Sequence, residues 1–262
     1  MDIVVCVKRV PDTTEADVKI DASGRDIVRD GLVFNINEAD NYALEEALLI
    51  KEKMGGTVTL VTMGPKESDD TLRMGLAKGA DSAIRLDDPA FAESDGIATA
   101  RILASSIKTL KYDLIMTGCL ASDNWYSIVG PALAEMLGIP HASMVTKAEI
   151  EEKKVRASRE LEGGLLEVLD IDLPAVLTIQ TGLNEPRYAS IMGIAKASKK
   201  EIALKGAGDL GLEAACVGKA GSKTMVTKLT LPVQEKMAEL IPGTPEEAAE
   251  SLSGILKERG LV

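Results

Sequence analysis

The stretch Thr57-Val58-Thr59-Leu60-Val61-Thr62-Met63-Gly64-Pro65, with Asp69 to Lys78 and Ala83 to Leu86 behind it, decides the fold class. Thr57 to Thr62 is β-branched at five of its six positions and stops at a Gly-Pro turn, which reads as a strand. Asp69 to Lys78 is amphipathic at helical spacing and ends at Gly79, a natural left-handed terminator. Ala83 to Leu86 is a second short strand. Two strands joined through a helix of this length predict a parallel pair with a crossover.

The same alternation extends outward. Ile3 to Val7 is a buried-strand run, and Asn41 to Lys53 places Ala43, Leu44, Ala47, Leu48 and Ile50 on one helical face. Asp95 to Leu110 reads as a helix, Asp113 to Thr117 as a strand, and Val129 to Leu137 as a helix closed by Gly138 before Pro140. The expected fold is α/β: a mostly parallel sheet with helices on both faces. From Ala142 the pattern changes. Lys154 to Glu160 and Leu165 to Leu173 alternate as a hairpin across Gly163-Gly164, and Ala175 to Gln180 is another buried strand. Beyond Lys200, Gly-rich connectors lead to a helix at Pro245 to Arg259 with Thr244 as N-cap. The expected division is a nucleotide-binding α/β domain over 1–205 and an extended C-terminal arm over 206–262.

Composition narrows the chemistry. A net charge of −11 opposes nonspecific nucleic-acid binding, and aromatics at 3% leave few stacking platforms. One histidine, His141, argues against His-based catalysis. Cys6, Cys119 and Cys216 are isolated, with no CxxC pair for a cluster or a zinc site, and fit a reducing cytoplasm. No run is long enough to span a membrane, and no export signal precedes the first strand.

In an open parallel sheet, ligands bind beyond the carboxyl ends of the strands where strand order reverses. The segments at such ends are Cys6 to Val10, Asn37 to Asp40, Met63-Gly64-Pro65 and Gly118 to Val129. The last is small and polar, and runs into a helix whose first amides suit a phosphate. It also holds the only tryptophan, Trp125. There is no GxGxxG fingerprint and no Walker A loop.

A further segment does not behave as core: Leu183-Asn184-Glu185-Pro186-Arg187-Tyr188-Ala189-Ser190-Ile191, continuing to Lys196, Lys199 and Lys200. Pro186 forbids a continuous helix, a short basic helix is expected beyond Met192-Gly193, and a bare Ile beside lysines suits a loop that meets an acidic partner. LNEPRYAS resembles the signature segment of the β subunit of electron transfer flavoproteins. VCVKRVPD, NEADNYALEEA, VTMGP, TLRMGLAKGAD and GPALAEMLGIP resemble further motifs of that family, in the same order and spacing over most of the first 200 residues.

The resemblance implies an adenine-nucleotide-α-hydrolase-like fold and a heterodimer with an α subunit that shares FAD. It implies a β-subunit site holding AMP in simple carriers or a second FAD in electron-bifurcating, NADH-dependent members. Carried across, the nucleotide contacts are Cys6, Asn37, Glu38, Ala39, Asp40 and Met63, with Gly118, Cys119, Leu120, Ala121, Ser122, Asp123, Asn124, Trp125, Tyr126, Ser127, Ile128 and Val129. Ile191 stands where the family's partner-recognition anchor stands. The implied partners are an acyl-CoA dehydrogenase-type flavoenzyme and, as acceptor, a quinone oxidoreductase or ferredoxin. No side chain is needed as acid, base or nucleophile, because the flavin carries the chemistry.

The run Asp123 to Pro131 departs from two family patterns. Bifurcating relatives carry a DGDTAQVGP-type run, whose VGP end is present here along with a GKAGS segment at 218–222, whereas simple carriers carry an NQTG-type run. The competing reading is a free-standing adenine-nucleotide-binding regulator of the same fold, resembling universal stress proteins, which needs neither LNEPRYAS nor the arm. An adenylating enzyme of the same superfamily lacks support because no SGGxDS-type loop is present.

Overall fold

The computed structural model describes residues 1–14, 16–231, 238 and 240–262, so residues 232–237 and 239 of the expected arm lie outside the described residues. The first strand, β1 (Asp2–Cys6), is followed by a two-stranded antiparallel ribbon of β2 (Arg9–Pro11) and β3 (Phe34–Ile36). Helix α1 (Glu38–Met54) leads to β4 (Thr57–Met63), α2 (Asp69–Lys78) and β5 (Ser82–Leu86). Then come α3 (Gly96–Ile107), β6 (Leu114–Gly118) and α4 (Val129–Leu137). The second half contributes β7 (His141–Glu151), β8 (Lys154–Glu160), β9 (Leu166–Asp172) and β10 (Ala175–Ile179). It ends with α5 (Ile191–Ala197), β11 (Ile202–Lys205), the single turn α6 (Gly218–Gly221) and α7 (Pro245–Glu258).

Nine strands form one sheet in the order β11-β5-β4-β1-β6-β10-β7-β8-β9. From β11 to β7 every pairing is parallel; β7–β8 and β8–β9 are antiparallel. The α/β expectation and the appended hairpin therefore stand. The strands are apolar on both sides because both faces are covered. Ile3 and Val5 enter the core under α1 and α2 with Leu44, Leu48, Leu72 and Leu76. Val4 and Cys6 enter the opposite core under α3 and α4 with Ile102, Leu103 and Leu133.

Several details differ from the sequence reading. The helix read from Asn41 starts at Glu38, and the one read beyond Met192-Gly193 starts at Ile191, capped by Ser190, whose Oγ accepts from the Gly193 amide at 3.0 Å. Strand β7, eleven residues long, and the β2–β3 ribbon are additions to the elements expected from the sequence. Lys200 does not belong to an open basic patch, since its Nζ donates to the carbonyl of Ala80 at 2.6 Å. The expected Thr244 cap is present as a full capping box with Glu247, and α7 buries none of its residues. No helix among the described residues is long and apolar enough to cross a membrane.

Candidate functional site

From β1 the sheet grows to β4, β5 and β11 on one side and to β6, β10 and β7 on the other. The strand order reverses beside β1, and the connections from β1 and β6 part there to leave a crevice at the strands' carboxyl ends. A cavity of about 200 Å³ occupies it. Its floor is Cys6, Val7 and Lys8 after β1, Val61 and Met63 of β4, and Thr117 and Gly118 of β6. Its far wall comes from the first turns of α3 and α4, at Asp95, Gly96, Thr99, Val129 and Gly130. An adjoining hollow of about 780 Å³ shares Ser94, Asp95 and Tyr126 with it, so the two form one groove running toward the Gly-rich segment at 218–226.

Asp40, in the first turn of α1, is the crevice's main structural device. Its Oδ2 accepts the Lys8 amide and its Oδ1 the Gly118 amide, both at 2.8 Å. One carboxylate thus ties the ends of the two strands that part at the switch point. The approach is close enough that a Cβ on Gly118 would lie 2.5 Å from Asp40 Oδ1 and 2.7 Å from the Ala39 methyl. Asn37 precedes α1 in an N-cap position, but its side chain does not cap the helix. Instead Nδ2 donates to the Leu120 carbonyl at 2.8 Å and Oδ1 accepts the Ser122 amide at 3.1 Å, which fixes the loop after β6. Lys8 Nζ adds an ion pair to Asp123 at 2.6 Å.

The two helix starts facing the cavity differ in charge. Asp95 caps α3: Oδ1 accepts from Ile97 and Ala98 at 3.0 and 2.9 Å, and Oδ2 from the amides of Lys223 and Thr224 at 2.7 and 2.9 Å. The amides of Ile97, Ala98 and Thr99 are satisfied, and a carboxylate stands before them. The start of α4 has no side-chain cap, and Gly130 sits so close to the sheet that a Cβ there would lie 2.2 Å from Thr178 Cγ2. Free amides at a helix N-terminus attract anions, so an anionic group in this cavity is favoured at α4 and disfavoured at α3. Lys8 is the only cationic side chain lining the cavity among the described residues.

Of the residues expected to touch a nucleotide, Cys6, Asp40, Met63, Gly118, Cys119, Leu120, Ala121, Asn124, Tyr126, Ser127, Ile128 and Val129 line the cavity. Asn37, Glu38, Ala39, Ser122, Asp123 and Trp125 do not. Trp125 turns outward, 69% exposed, its Nε1 donating to the Ser122 carbonyl at 2.9 Å. Trp125 and Ser127 both adopt left-handed backbone, φ 55° and 49°, at a cost of roughly 1–2 kcal/mol per residue. Lys8 lies in the Cys6 to Val10 segment expected at a strand end but was not among the named contacts; Asp95, Gly96, Thr117 and Gly130 also line the cavity and were not named as contacts. Asp95-Gly96 directly before an apolar-periodic run is a readable N-cap signal.

The cavity holds no activated nucleophile. Burial pushes the Cys6 thiol up to about 12 and raises Cys119 as well, and all three cysteines are free. No group of His, Cys, Asp and Glu suited to a metal occurs among the described residues. Burial also raises Asp40 to about 7, against the opposing pull of the Gly118 and Lys8 amides. The folded chain therefore favours the neutral carboxyl. Its stabilising contribution is full below the unfolded value of about 3.9 and is lost as pH rises through about 7. Asp40→Asn, uncharged throughout, should gain stability relative to the parent between about pH 4 and 7 in urea titrations, on top of a constant loss from setting an NH2 group against one amide. Parallel pH curves for the two proteins would contradict this.

Comparison with known proteins agrees with this architecture. The family model described as "Electron transfer flavoprotein domain" matches residues 25–207. The electron transfer flavoprotein subunit beta of Thermoanaerobacterium thermosaccharolyticum is 41% identical, covering 100% of both chains. That of Methylophilus methylotrophus is 40% identical over 98% of both. The caffeyl-CoA reductase-Etf complex subunit CarD of Acetobacterium woodii is also 40% identical over 100% of both. With a family match over most of its length and relatives of this identity end to end, the chain belongs to the electron transfer flavoprotein family, among its beta subunits.

Proposed function

We propose that this chain is the nucleotide-holding subunit of a two-subunit cytoplasmic electron carrier, paired with an α subunit that shares FAD. It receives electrons from an acyl-CoA dehydrogenase-type flavoenzyme and delivers them to a quinone oxidoreductase or ferredoxin. The observation that carries this reading is the end-to-end match to beta subunits in a chain whose crevice sits at the sheet's switch point. The relative named as part of a caffeyl-CoA reductase-Etf complex supports an electron-bifurcating variant of the same role.

The crevice suits an adenine nucleotide, either AMP or the AMP half of a second FAD. The uncapped first turn of α4, at Val129 and Gly130, would hold a phosphate, with Lys8 as its cation once released from Asp123. Met63, Val61 and Leu103 offer an apolar surface to a base. The cavity alone is smaller than the roughly 300–1,000 Å³ usual for ligand sites, so the ligand must also use the adjoining hollow or displace the loop at 120–128. The left-handed backbone at Trp125 and Ser127 is strain that such a rearrangement could release, against the hold of Asn37 and the Lys8–Asp123 pair.

Flavin, when bound, supplies the redox chemistry; the protein's residues bind, orient and exclude water. The inert thiols offer no nucleophile to compete with that chemistry. Unburied α7, with Leu252 exposed on it, and the exposed Met225 and Leu231 suit an arm over 206–262 that clasps the α subunit.

The test is to co-express this chain with an α subunit, release the cofactors with acid and count them. The expected result is FAD plus one further adenine nucleotide per heterodimer. One FAD with one AMP means a single-flavin carrier, and two FAD without AMP means bifurcation. A heterodimer with one FAD and nothing else would overturn the nucleotide reading.

A further inference from the structure

The segment around Ile191 is built onto the protein more firmly than an exposed loop requires. Ile191 and Met192 are 87% and 71% exposed, with Tyr188 also free of the core. Directly before them, Arg187 is held by four of its polar atoms. Its amide donates to Glu45 Oε2 at 3.0 Å and its Nη2 to Glu45 Oε1 at 2.8 Å. Its Nε donates to Glu45 Oε2 at 2.9 Å, and its Nη1 to Glu52 Oε1 at 2.5 Å. The Glu45 side chain is only 5% exposed, so this ion pair is largely shielded from water on Glu45's side. Asn184 Nδ2 adds bonds to the Tyr42 carbonyl and Glu46 Oε2, both at 3.1 Å.

The other end of α5 is fixed as well. Arg73 Nη1 donates to the Ala197 carbonyl at 3.0 Å, Ala197 is buried, and Gly193 lies so close to α2 that a Cβ would stand 2.2 Å from the Ala77 carbonyl oxygen. The short helix is therefore clamped at both ends onto α1 and α2, and its exposed apolar side chains project from a fixed base.

We propose that Arg187 is a positioning residue for partner docking: bridged to Glu45 and Glu52, it holds Ile191 in its docking pose before the partner arrives. This rests on the reading of Ile191 as the partner anchor. A pre-ordered anchor avoids the cost of ordering backbone and side chain on contact, roughly 1–2 kcal/mol per residue fixed. Arg187 does not line the cavity, and its side-chain donors are spent on Glu45 and Glu52 of α1, so its contribution passes through the pose of α5.

The experiment measures steady-state electron transfer from a reduced acyl-CoA dehydrogenase to the intact heterodimer, in the parent and in Ile191→Ala, Arg187→Ala, Arg187→Lys, Gly193→Ala and the double variant Arg187→Ala/Ile191→Ala. Ile191→Ala is expected to raise KM about tenfold or more. Arg187→Ala should raise KM by a similar factor with a smaller change in kcat. Arg187→Lys, which keeps the charge and loses the fork, should fall between. The double variant should be no worse than Ile191→Ala alone, a non-additivity that a general structural role would not produce. Gly193→Ala displaces α5 without touching the ion pairs and should reproduce the KM effect, which keeps the test decisive if Arg187→Ala fails to fold. Cofactor content serves as the control.

A raised KM in Ile191→Ala with parental KM in the soluble Arg187 and Gly193 variants would overturn the positioning role and leave the anchor standing. Multiplying effects in the double variant would also overturn it. An unchanged KM in Ile191→Ala would overturn the anchor reading itself, and the positioning role with it.

Discussion

Replacing Asp40 by alanine should lower the melting temperature by about 5–15 °C and abolish retention of the nucleotide proposed for the crevice. The part-buried amides of Lys8 and Gly118 lose this acceptor in that change. Each unsatisfied buried amide costs about 1–3 kcal/mol, and 1 kcal/mol corresponds to about 2–4 °C in a chain near this size. The nucleotide is lost for a geometric reason: the amides mark the ends of β1 and β6, and without their tie the crevice floor has no fixed width. Thermal unfolding and acid-released nucleotide, measured on the same preparation, check both halves. A destabilised variant that keeps its full nucleotide complement would show that the tie serves the fold alone.

Gly130→Ala should act from the opposite wall. A Cβ there would lie 2.2 Å from Thr178 Cγ2 and 3.1 Å from Thr117 Oγ1, and both threonines belong to sheet strands that cannot retreat. The first turn of α4 must lift instead, at an overpacking cost of about 1–3 kcal/mol. Its uncapped amides move away from the cavity with it. AMP affinity should drop about tenfold or more, as expected when helix-terminus stabilisation of up to about 2 kcal/mol is lost. Equilibrium dialysis of nucleotide-free protein against AMP checks this. Unchanged affinity would place the phosphate away from α4.

The sheet was legible where periodicity was strong. Thr57 to Thr62, Val129 to Leu137 and Ala175 to Gln180 fall within a residue of the observed elements, because strands buried on both faces and helices closed by glycine leave plain marks. Strand β7 left none. Its first half lies beside β10 in the parallel sheet and its second half pairs only with β8, so buried and alternating patterns merge without a boundary. For the crevice, the residues after β1 and β6 could be named, but their duties could not. Asn37 and Asp40 read as ligand contacts; in the fold Asn37 holds a loop and Asp40 ties strand ends. Asp95 and Gly130 gain their positions only when α3 and α4 are brought to one wall.

The outward turn of Trp125 has an optical consequence. The chain contains one tryptophan and four tyrosines, so all indole emission arises from a single ring. That ring stands mostly in water, on the loop that Asn37 and the Lys8–Asp123 pair hold beside the groove. The protein thus carries an intrinsic fluorophore at the edge of its groove, and any shift in that emission reports on one loop rather than an average over the molecule.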